Sequence, residues 1–330
     1  MKKTSVRLFF RESMKKETFL PVFLIAVSML IALISTVVDK FIYPVSQELL
    51  SPMIAQIIIF FIPLYLCMTV IFPERSPIYM LRAVGCRKIS AEHVFLIIFT
   101  SLFMVSTTLV INIALGGVHA VSEGVTLFGT FTAGQGESSS SVLYVIAVYA
   151  IAPAFIEEVL FRGFIYSRFS SLSESAAIAI STLVSSLFAF TLAGLPAAIF
   201  CGIAYCFIRY ATKSLWACMA AHAIFNLYAL FVQTNVAKYF LSSQNNLLLI
   251  ITVIVVWLIC TVLFSNECAK FFKTRADKIN EGKERSALPV FNVKQLGLQL
   301  KSAFTYRPTM ICAIVSGVCF IAITTIGILT

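Results

Sequence analysis

Two groups of polar side chains interrupt the long apolar stretches of this sequence. Glu157, Glu158 and Arg162 form the first group, and His222 and Asn226 form the second. Residues four positions apart share one face of a helix, so Glu158 can pair with Arg162, and the imidazole can project beside the amide. Glu157 is rotated by roughly 100° from its neighbour and is free to face a cavity. A free carboxylate beside an imidazole and an amide can activate a water molecule or polarise a carbonyl group.

The elements that must position these side chains are apolar and long. Of the 330 residues, 59% are hydrophobic and 12% are charged, whereas a soluble domain carries about 25% charged residues. Such a chain needs a bilayer as its interior, in which a spanning helix takes roughly 20 apolar residues. The composition therefore predicts an all-α, polytopic membrane protein and excludes a soluble globular domain.

The apolar runs predict eight or nine transmembrane helices. They lack the sustained alternation of barrel strands. The first run is long enough to span and no signal-peptide cleavage pattern follows it, so it is predicted to be a retained helix. The fifth and sixth runs are one apolar stretch broken by Gly194 and Pro196, and each half is short for a full span. The runs lie at about 18–38, 50–72, 93–116, 142–165, 175–193, 196–211, 214–235, 246–265 and 309–329.

The positive charges predict the orientation. Lys and Arg residues in alternate loops number 23 on one side and 2 on the other, and positive loops stay in the cytoplasm. The N-terminus is therefore predicted to be cytoplasmic and, with nine spans, the C-terminus external. In this topology Glu157 and His222 lie at one depth, roughly 12 Å below the cytoplasmic surface, which predicts a shared site.

Three regions follow from this topology. Residues 1–141 hold about three spans and end in an external loop rich in Gly and Ser. Residues 142–235 hold about four spans and both polar groups. Residues 236–330 hold the remaining spans and a basic cytoplasmic loop at 266–308. The nine cysteines contain no CxxC pattern and lie in apolar runs or on the cytoplasmic side, so they are predicted to be reduced.

The net charge of +10 is explained by anionic lipid headgroups at the cytoplasmic surface, and no nucleic-acid partner is needed. Two segments, 5–16 and 291–307, mix apolar and basic residues. They fit interfacial amphipathic helices and fit solvated basic loops equally well.

Together the two polar groups resemble the motifs of the CPBP family of intramembrane proteases, which joins type II CAAX prenyl proteases and bacteriocin-processing proteins. The resemblance covers about residues 142–230. It rests on Glu157-Glu158-x-x-x-Arg162 followed by His222-x-x-x-Asn226, with support from Phe161-Arg162-Gly163, Gly202 and Ser214-Leu215-Trp216.

The resemblance implies an endopeptidase that cleaves a peptide bond near the cytoplasmic side of the membrane with a glutamate-activated water. Glu157 would be the general base, and Glu158, held by Arg162, would support it. His222 and Asn226 would contact the scissile carbonyl and stabilise its oxyanion. The implied substrate is a peptide or protein in the membrane, with or without a prenylated cysteine, and the implied location is the bacterial plasma membrane.

One position departs from the family pattern. Members carry Phe-x-x-x-His on the intervening helix, but here Phe188 is followed by Leu192, which cannot ligate a metal or orient a water. The neighbouring Thr191 points about 100° away and is a weak substitute. His119 lies near the external end of its span, and His93 can approach the site only if its helix packs beside the fourth span.

This departure bears on the cofactor. A divalent metal such as zinc would have Glu157 and His222 as ligands but would lack the second histidine, whereas protein zinc sites use three or four protein ligands. A metal-free water site would keep its base and its oxyanion donors.

Two alternatives to the protease stay open. The first is a catalytically degenerate scaffold or bacteriocin-immunity protein that binds peptides or helices without cutting them. The second is a transporter or channel, but the intramembrane polar residues cluster at one depth and form no track across the membrane.

Overall fold

The structure is a computed structural model that describes residues 2–38, 50–72, 76–117, 124–126, 129–131, 142–233, 246–282 and 293–329. Helices make up nearly all of it. In chain order they are α1 (Lys2–Val37), α2 (Leu50–Gln56, Ile57–Phe61 and Ile62–Ile71), α3 (Pro77–Ala83), α4 (Val94–Gly116), α5 (Val142–Phe169), α6 (Glu174–Leu187), α7 (Leu195–Thr212), α8 (Leu215–Tyr228, continued by Ala229–Gln233), α9 (Asn246–Asn280), α10 (Val293–Phe304) and α11 (Arg307–Leu329).

A short 3-10 turn, Ala91–His93, precedes α4, and two short strands, β1 (Gly124–Thr126) and β2 (Gly129–Phe131), pair in antiparallel fashion. The external loop at 134–141 and His119, both singled out from the sequence, lie outside the described residues. All nine cysteines are described and free.

Eight of the described helices are long and apolar enough to cross a membrane, namely α1, α2, α4, α5, α7, α8, α9 and α11. The prediction of an all-α, polytopic membrane protein is therefore confirmed. The orientation of its N-terminus stays a prediction from the charges.

The ninth predicted span, 175–193, is wrong. Helix α6 has 14 residues, which is about 21 Å and shorter than the roughly 30 Å hydrocarbon core. It ends at Leu187, and the chain then turns through 188–194, where Phe190 adopts a left-handed φ of 52°. This conformation is rare for residues other than glycine and interrupts a helix. The apolar run is thus divided between a short helix and a turn.

Helices α6 and α7 form a hairpin that packs closely at Gly202. A Cβ atom on Gly202 would lie 2.9 Å from the Cγ2 atom of Thr182. At the open end of the hairpin, the Lys213 Nζ atom lies 3.6 Å from a Glu174 oxygen. Because the hairpin begins and ends on one side, the alternation of positive loops is the same with or without a full crossing by α6.

Helix α5 carries the glutamate pair and contains two π-helical turns, Ala147–Ile151 and Val159–Ile165. Pro153 lies two residues after the end of the first turn. Proline lacks the N–H that an α-helical hydrogen bond requires, and π-turns accommodate such breaks in the hydrogen-bond ladder. The second π-turn lies between Glu158 and the end of the span and contains Arg162.

Helix α5 is central to the bundle. It packs against α2, α6 and α8, and α7 packs against α4, α6 and α8. Helices α1 and α11 pack against each other, and so do α4 and α9. The site residues are therefore surrounded by protein on several sides, as polar groups within a membrane span require.

Helix α10 covers most of the segment 291–307 that was predicted to be interfacial or looped. The Ser173 hydroxyl lies 2.7 Å from Gln299 Oε1, and the Gln299 amide donates to the Leu172 carbonyl. These bonds hold α10 against the start of α6. The segment 5–16 is the first part of the continuous helix α1.

Candidate functional site

The site contains an ion pair between Glu158 and Arg162. Arg162 Nη1 donates to Glu158 Oε1 at 3.2 Å, and both side chains are buried. Arg162 Nη2 also donates to Ser185 Oγ at 3.2 Å and to the Gly202 carbonyl at 3.4 Å. One guanidinium therefore joins α5 to both arms of the α6–α7 hairpin, as its planar array of donors allows.

His222 on α8 contacts both glutamates. Its Nδ1 atom lies 3.0 Å from Glu158 Oε1, and its Nε2 atom lies 4.0 Å from Glu157 Oε2. Because a carboxylate only accepts hydrogen bonds, the Nδ1 atom carries a proton in this contact. The imidazole also stacks on Tyr205, with ring centroids 5.0 Å apart. Glu158 and Tyr205 thus fix the ring so that Nε2 points towards Glu157.

Glu157 has a partner that the sequence analysis missed. Gln56 on α2 donates from Nε2 to Glu157 Oε1 at 2.9 Å, and Gln56 is itself buried. No described residue donates to the second oxygen, Glu157 Oε2, which is also buried. The available signal was an amide in an otherwise apolar part of the second run.

A small cavity lies beside His222. It holds about 50 Å³ of space for water-sized groups, which is room for a few water molecules because one needs at least roughly 10–15 Å³. Asn226 lines this cavity and donates to the Ala150 carbonyl at 3.4 Å. The other polar lining residues are Thr108, Asn112, Arg162, Ser185 and Tyr205. Asn112 is a second amide that the sequence analysis did not consider.

Glu157 is 1% exposed and is not among the residues that line this cavity. This differs from the expectation that the free carboxylate faces a cavity directly. The carboxylate instead approaches the lining through the 4.0 Å gap to His222 Nε2. A separation of more than 3.5 Å between two polar atoms is suited to a bridging water.

The charges of the buried groups constrain their protonation. Glu157 and Glu158 carry two ionisable carboxyl groups, and Arg162 supplies one permanent positive charge. An unbalanced charge is costly in such a place, so electrical neutrality requires one further proton. His222 contacts Glu158 and lies within 4.0 Å of Glu157, so this proton can be shared between the imidazole and a carboxylate.

Comparison with protein-family models gives a match over part of the chain. The model of the family described as type II CAAX prenyl endopeptidase Rce1-like matches residues 139–228. This segment matches the Rce1-like family. The resemblance to CPBP and CAAX proteases is therefore confirmed over this segment. Searches of curated proteins and of solved structures found no match.

The Rce1-like segment spans α5 to α8 and contains all four predicted catalytic residues. Gln56 and Asn112 lie outside it, on α2 and α4. The helices that precede the Rce1-like segment therefore contribute two polar groups: Gln56 contacts Glu157, and Asn112 lines the cavity.

The second-motif position of the Rce1-like segment does not reach the site. Phe188 is buried at the end of α6, but Leu192 is 64% exposed in the following turn. The expectation that both lie on one helix is wrong because α6 ends at Leu187. His93 also stays away from the site. It borders a different cavity, at the end of the bundle where α6 begins.

Zinc does not fit this arrangement of donors. Glu158 Oε1 already accepts from Arg162 and contacts His222. Within the described residues, no group of three or more His, Cys, Asp or Glu side chains is placed to hold a metal ion, whereas zinc sites use three or four protein ligands.

Proposed function

We propose that this protein is an intramembrane endopeptidase of the CAAX type that hydrolyses a peptide bond with a glutamate-activated water. The observation that carries the proposal is the contact of His222 with both glutamates inside the Rce1-like segment. The proposed substrate is a membrane-embedded peptide or protein, with or without a lipidated cysteine. The proposed location is the bacterial plasma membrane.

In the proposed mechanism, a water bridges Glu157 Oε2 and His222 Nε2 across the 4.0 Å gap between them. Glu157 removes a proton from this water as it attacks the scissile carbonyl carbon. Gln56 fixes the other carboxylate oxygen, so the basic lone pairs of Oε2 point towards the water. The proton then passes to the leaving amine, as general acid–base catalysis requires.

Glu158 acts on the imidazole. It accepts from the Nδ1 side of His222 and holds the ring in place, while Arg162 balances its charge. The carbonyl oxygen becomes negative as water attacks. Hydrogen bonds from the Asn226 amide and from Nε2 of the imidazole, which in this step carries the further proton of the site, stabilise that charge. Removal of a single oxyanion donor of this kind costs about 10²–10³ in kcat.

A peptidase assay of the purified protein in lipid nanodiscs tests the proposal. Quenched peptides with and without a prenylated cysteine are supplied to the wild type, to Glu157→Gln and to a control, Asp277→Asn, which removes an exposed carboxylate on α9. We expect cleavage by the wild type and the control and none by Glu157→Gln. Equal cleavage by all three proteins would exclude Glu157 as the base.

A non-cutting scaffold is the second candidate, favoured by the exposed position of Leu192 and by the links from Arg162 to α6 and α7. Under this alternative, Glu157→Gln has no effect on the phenotype that the protein confers, and Arg162→Met lowers the amount of protein. Loss of the phenotype in Glu157→Gln at unchanged protein levels would contradict the scaffold.

A further inference from the structure

Helix α4, which precedes the Rce1-like segment, supplies one wall of the cavity beside His222. It packs against both α7 and α8, and its residues Thr108 and Asn112 line the cavity. These two residues are four positions apart and therefore share one face of the helix. The other described lining residues, His222 and Asn226 among them, belong to the Rce1-like segment. Helix α4 thus presents an amide to the space that the proposed catalytic groups border.

Asn112 differs from the other polar residues of α4 in its hydrogen bonding. Its side chain is half-buried, and none of the described residues forms a hydrogen bond with its amide. The hydroxyl groups of α4, by contrast, all have partners. Thr107 accepts from the indole N–H of Trp257, and the others donate to carbonyl groups of their own helix. These others are Thr100, Ser101, Ser106 and Thr108.

The other two amides that contact the site are already engaged. Gln56 donates to Glu157, and Asn226 donates to the Ala150 carbonyl. An amide without a hydrogen bond in apolar surroundings costs free energy that a leucine of similar shape would avoid. Polar side chains inside a membrane span therefore face a partner or a cavity. A ligand that enters the cavity would supply the partner that Asn112 lacks among the described residues.

The first two turns of α7 line the same cavity with small residues. Small residues allow another backbone to approach a helix closely. The cavity holds about 50 Å³, which suits a peptide group better than a bulky side chain. A peptide group carries one N–H and one C=O, and an asparagine amide offers an acceptor and a donor to match them. The α7 residues are Ala197, Ala198, Cys201 and Gly202.

We propose that Asn112 binds the main chain of the peptide substrate beside the bond that is cleaved. Asn112 Oδ1 accepts from a substrate N–H, and Asn112 Nδ2 donates to a substrate C=O. A segment unwound for cleavage has lost its helical hydrogen bonds, which is costly within a membrane, so this pairing stabilises the extended form. The inference rests on the proposed peptidase function, and it adds to that site a binding group from outside the Rce1-like segment.

Steady-state kinetics in the nanodisc assay tests the inference with Asn112→Leu, which keeps a similar shape without hydrogen-bonding groups. The matched control is Asn280→Leu, which removes an exposed amide at the end of α9 that does not line the cavity. Loss of a contact made equally in the ground state and the transition state raises KM and leaves kcat unchanged. We expect Asn112→Leu to raise KM about tenfold, equivalent to about 1.4 kcal/mol, and the control to behave as the wild type does.

The unfolding midpoint in dodecylmaltoside separates binding from a structural role. Because leucine removes an amide that has no partner among the described residues, the midpoint of Asn112→Leu should be unchanged or higher. A lower midpoint together with an unchanged KM would mean a structural role and would overturn the proposal. If Asn112→Leu does not fold, Asn112→Ala carries the comparison, since it removes the amide without adding volume.

Peptide binding to Glu157→Gln separates this inference from the peptidase proposal. Fluorescein-labelled forms of the same peptides are titrated with Glu157→Gln and with Glu157→Gln/Asn112→Leu, and fluorescence anisotropy is followed. We expect the double variant to bind about tenfold more weakly. With that result and no cleavage by the wild type, the peptidase proposal alone fails. Equal affinities, or no binding by Glu157→Gln, would overturn the role of Asn112 even where the wild type cleaves.

Ester substitution identifies the group that Asn112 contacts. Each peptide group of the labelled peptide is replaced in turn by an ester, which lacks the N–H. We expect one position at which the ester weakens binding about fivefold when Asn112 is present and has no effect when leucine replaces it, as coupled groups do in a double-mutant cycle. If no position shows this dependence on residue 112, the assignment to the main chain is refuted.

Discussion

Replacement of Arg162 by methionine should destabilise the protein more than any other single change at the site. The side chain is buried and donates to Glu158, to Ser185 and to the Gly202 carbonyl. Methionine fills similar space without a charge. It leaves the Glu158 carboxylate buried without its cation, and breaking a buried pair in this way costs about 3–5 kcal/mol.

Most of that cost comes from the remaining carboxylate and can therefore be recovered. In the double variant Glu158→Gln/Arg162→Met, no uncompensated charge is left, so we expect at least about 2 kcal/mol to return. Unfolding in dodecylmaltoside with increasing dodecyl sulfate would measure both losses. Arg82→Met, which removes an exposed cation on α3, is the control and should change stability by less than about 0.5 kcal/mol.

Two results would refute this reasoning. A loss below about 1 kcal/mol in Arg162→Met would mean that the guanidinium does not balance a buried carboxylate, because that is the range of exposed pairs. A double variant no more stable than Arg162→Met would mean that the bonds to α6 and α7, rather than the charge on Glu158, account for the loss.

Three further predictions concern single side chains. Gln56→Leu removes a hydrogen bond to the Glu157 carboxylate that is worth about 1.5–3 kcal/mol. We expect this change to lower kcat/KM at least about tenfold. An unchanged rate in the nanodisc assay would show that this bond has no role in catalysis. Leu192→His should leave cleavage unchanged and create no zinc dependence, because residue 192 is exposed in a turn; zinc-stimulated cleavage by this variant would contradict the placement. Burial raises the pKa of Cys86 to about 11, so in a variant with Cys86 as its sole cysteine fewer than about one in 1,000 thiols is ionised at pH 7.5. Maleimide labelling should therefore be slow at pH 7.5 and accelerate towards pH 10. Fast, pH-independent labelling would disprove the burial.

Local spacing was sufficient to predict part of the site. The four-residue separation of Glu158 and Arg162 matches the 3.2 Å contact between their side chains. The approach of His222 to both glutamates was inferred only from their equal depth, since the fold of one helix against another cannot be read from spacing. Gln56 shows the limit most clearly, because 101 positions separate it from Glu157 and only the packing of α2 against α5 brings them together.

Two expectations failed for a shared reason. Hydropathy measures how apolar a segment is and contains no information on where its backbone turns. The run 175–193 is mostly apolar, but its helix ends at Leu187 and Phe190 turns the backbone there. The same break removes Leu192 from the helical face that Phe188 would otherwise share with it. A motif spacing of four residues has structural meaning only where the helix continues.

The hairpin of α6 and α7 also affects how the chain is inserted during synthesis. Helix α6 is too short to span alone, and α7 has the lowest mean hydropathy of the eight spanning helices, 1.4. Neither is a strong insertion signal, but together they bury Thr182, Ser185 and Gly202 between them and hide these polar groups from lipid. A nascent chain that has emerged only to the turn after α6 contains half of this unit, with its hydroxyls unshielded. We therefore expect the two helices to enter the membrane as a pair. The Arg162 guanidinium would then gain its last hydrogen-bond partner, the Gly202 carbonyl, only when α7 has entered.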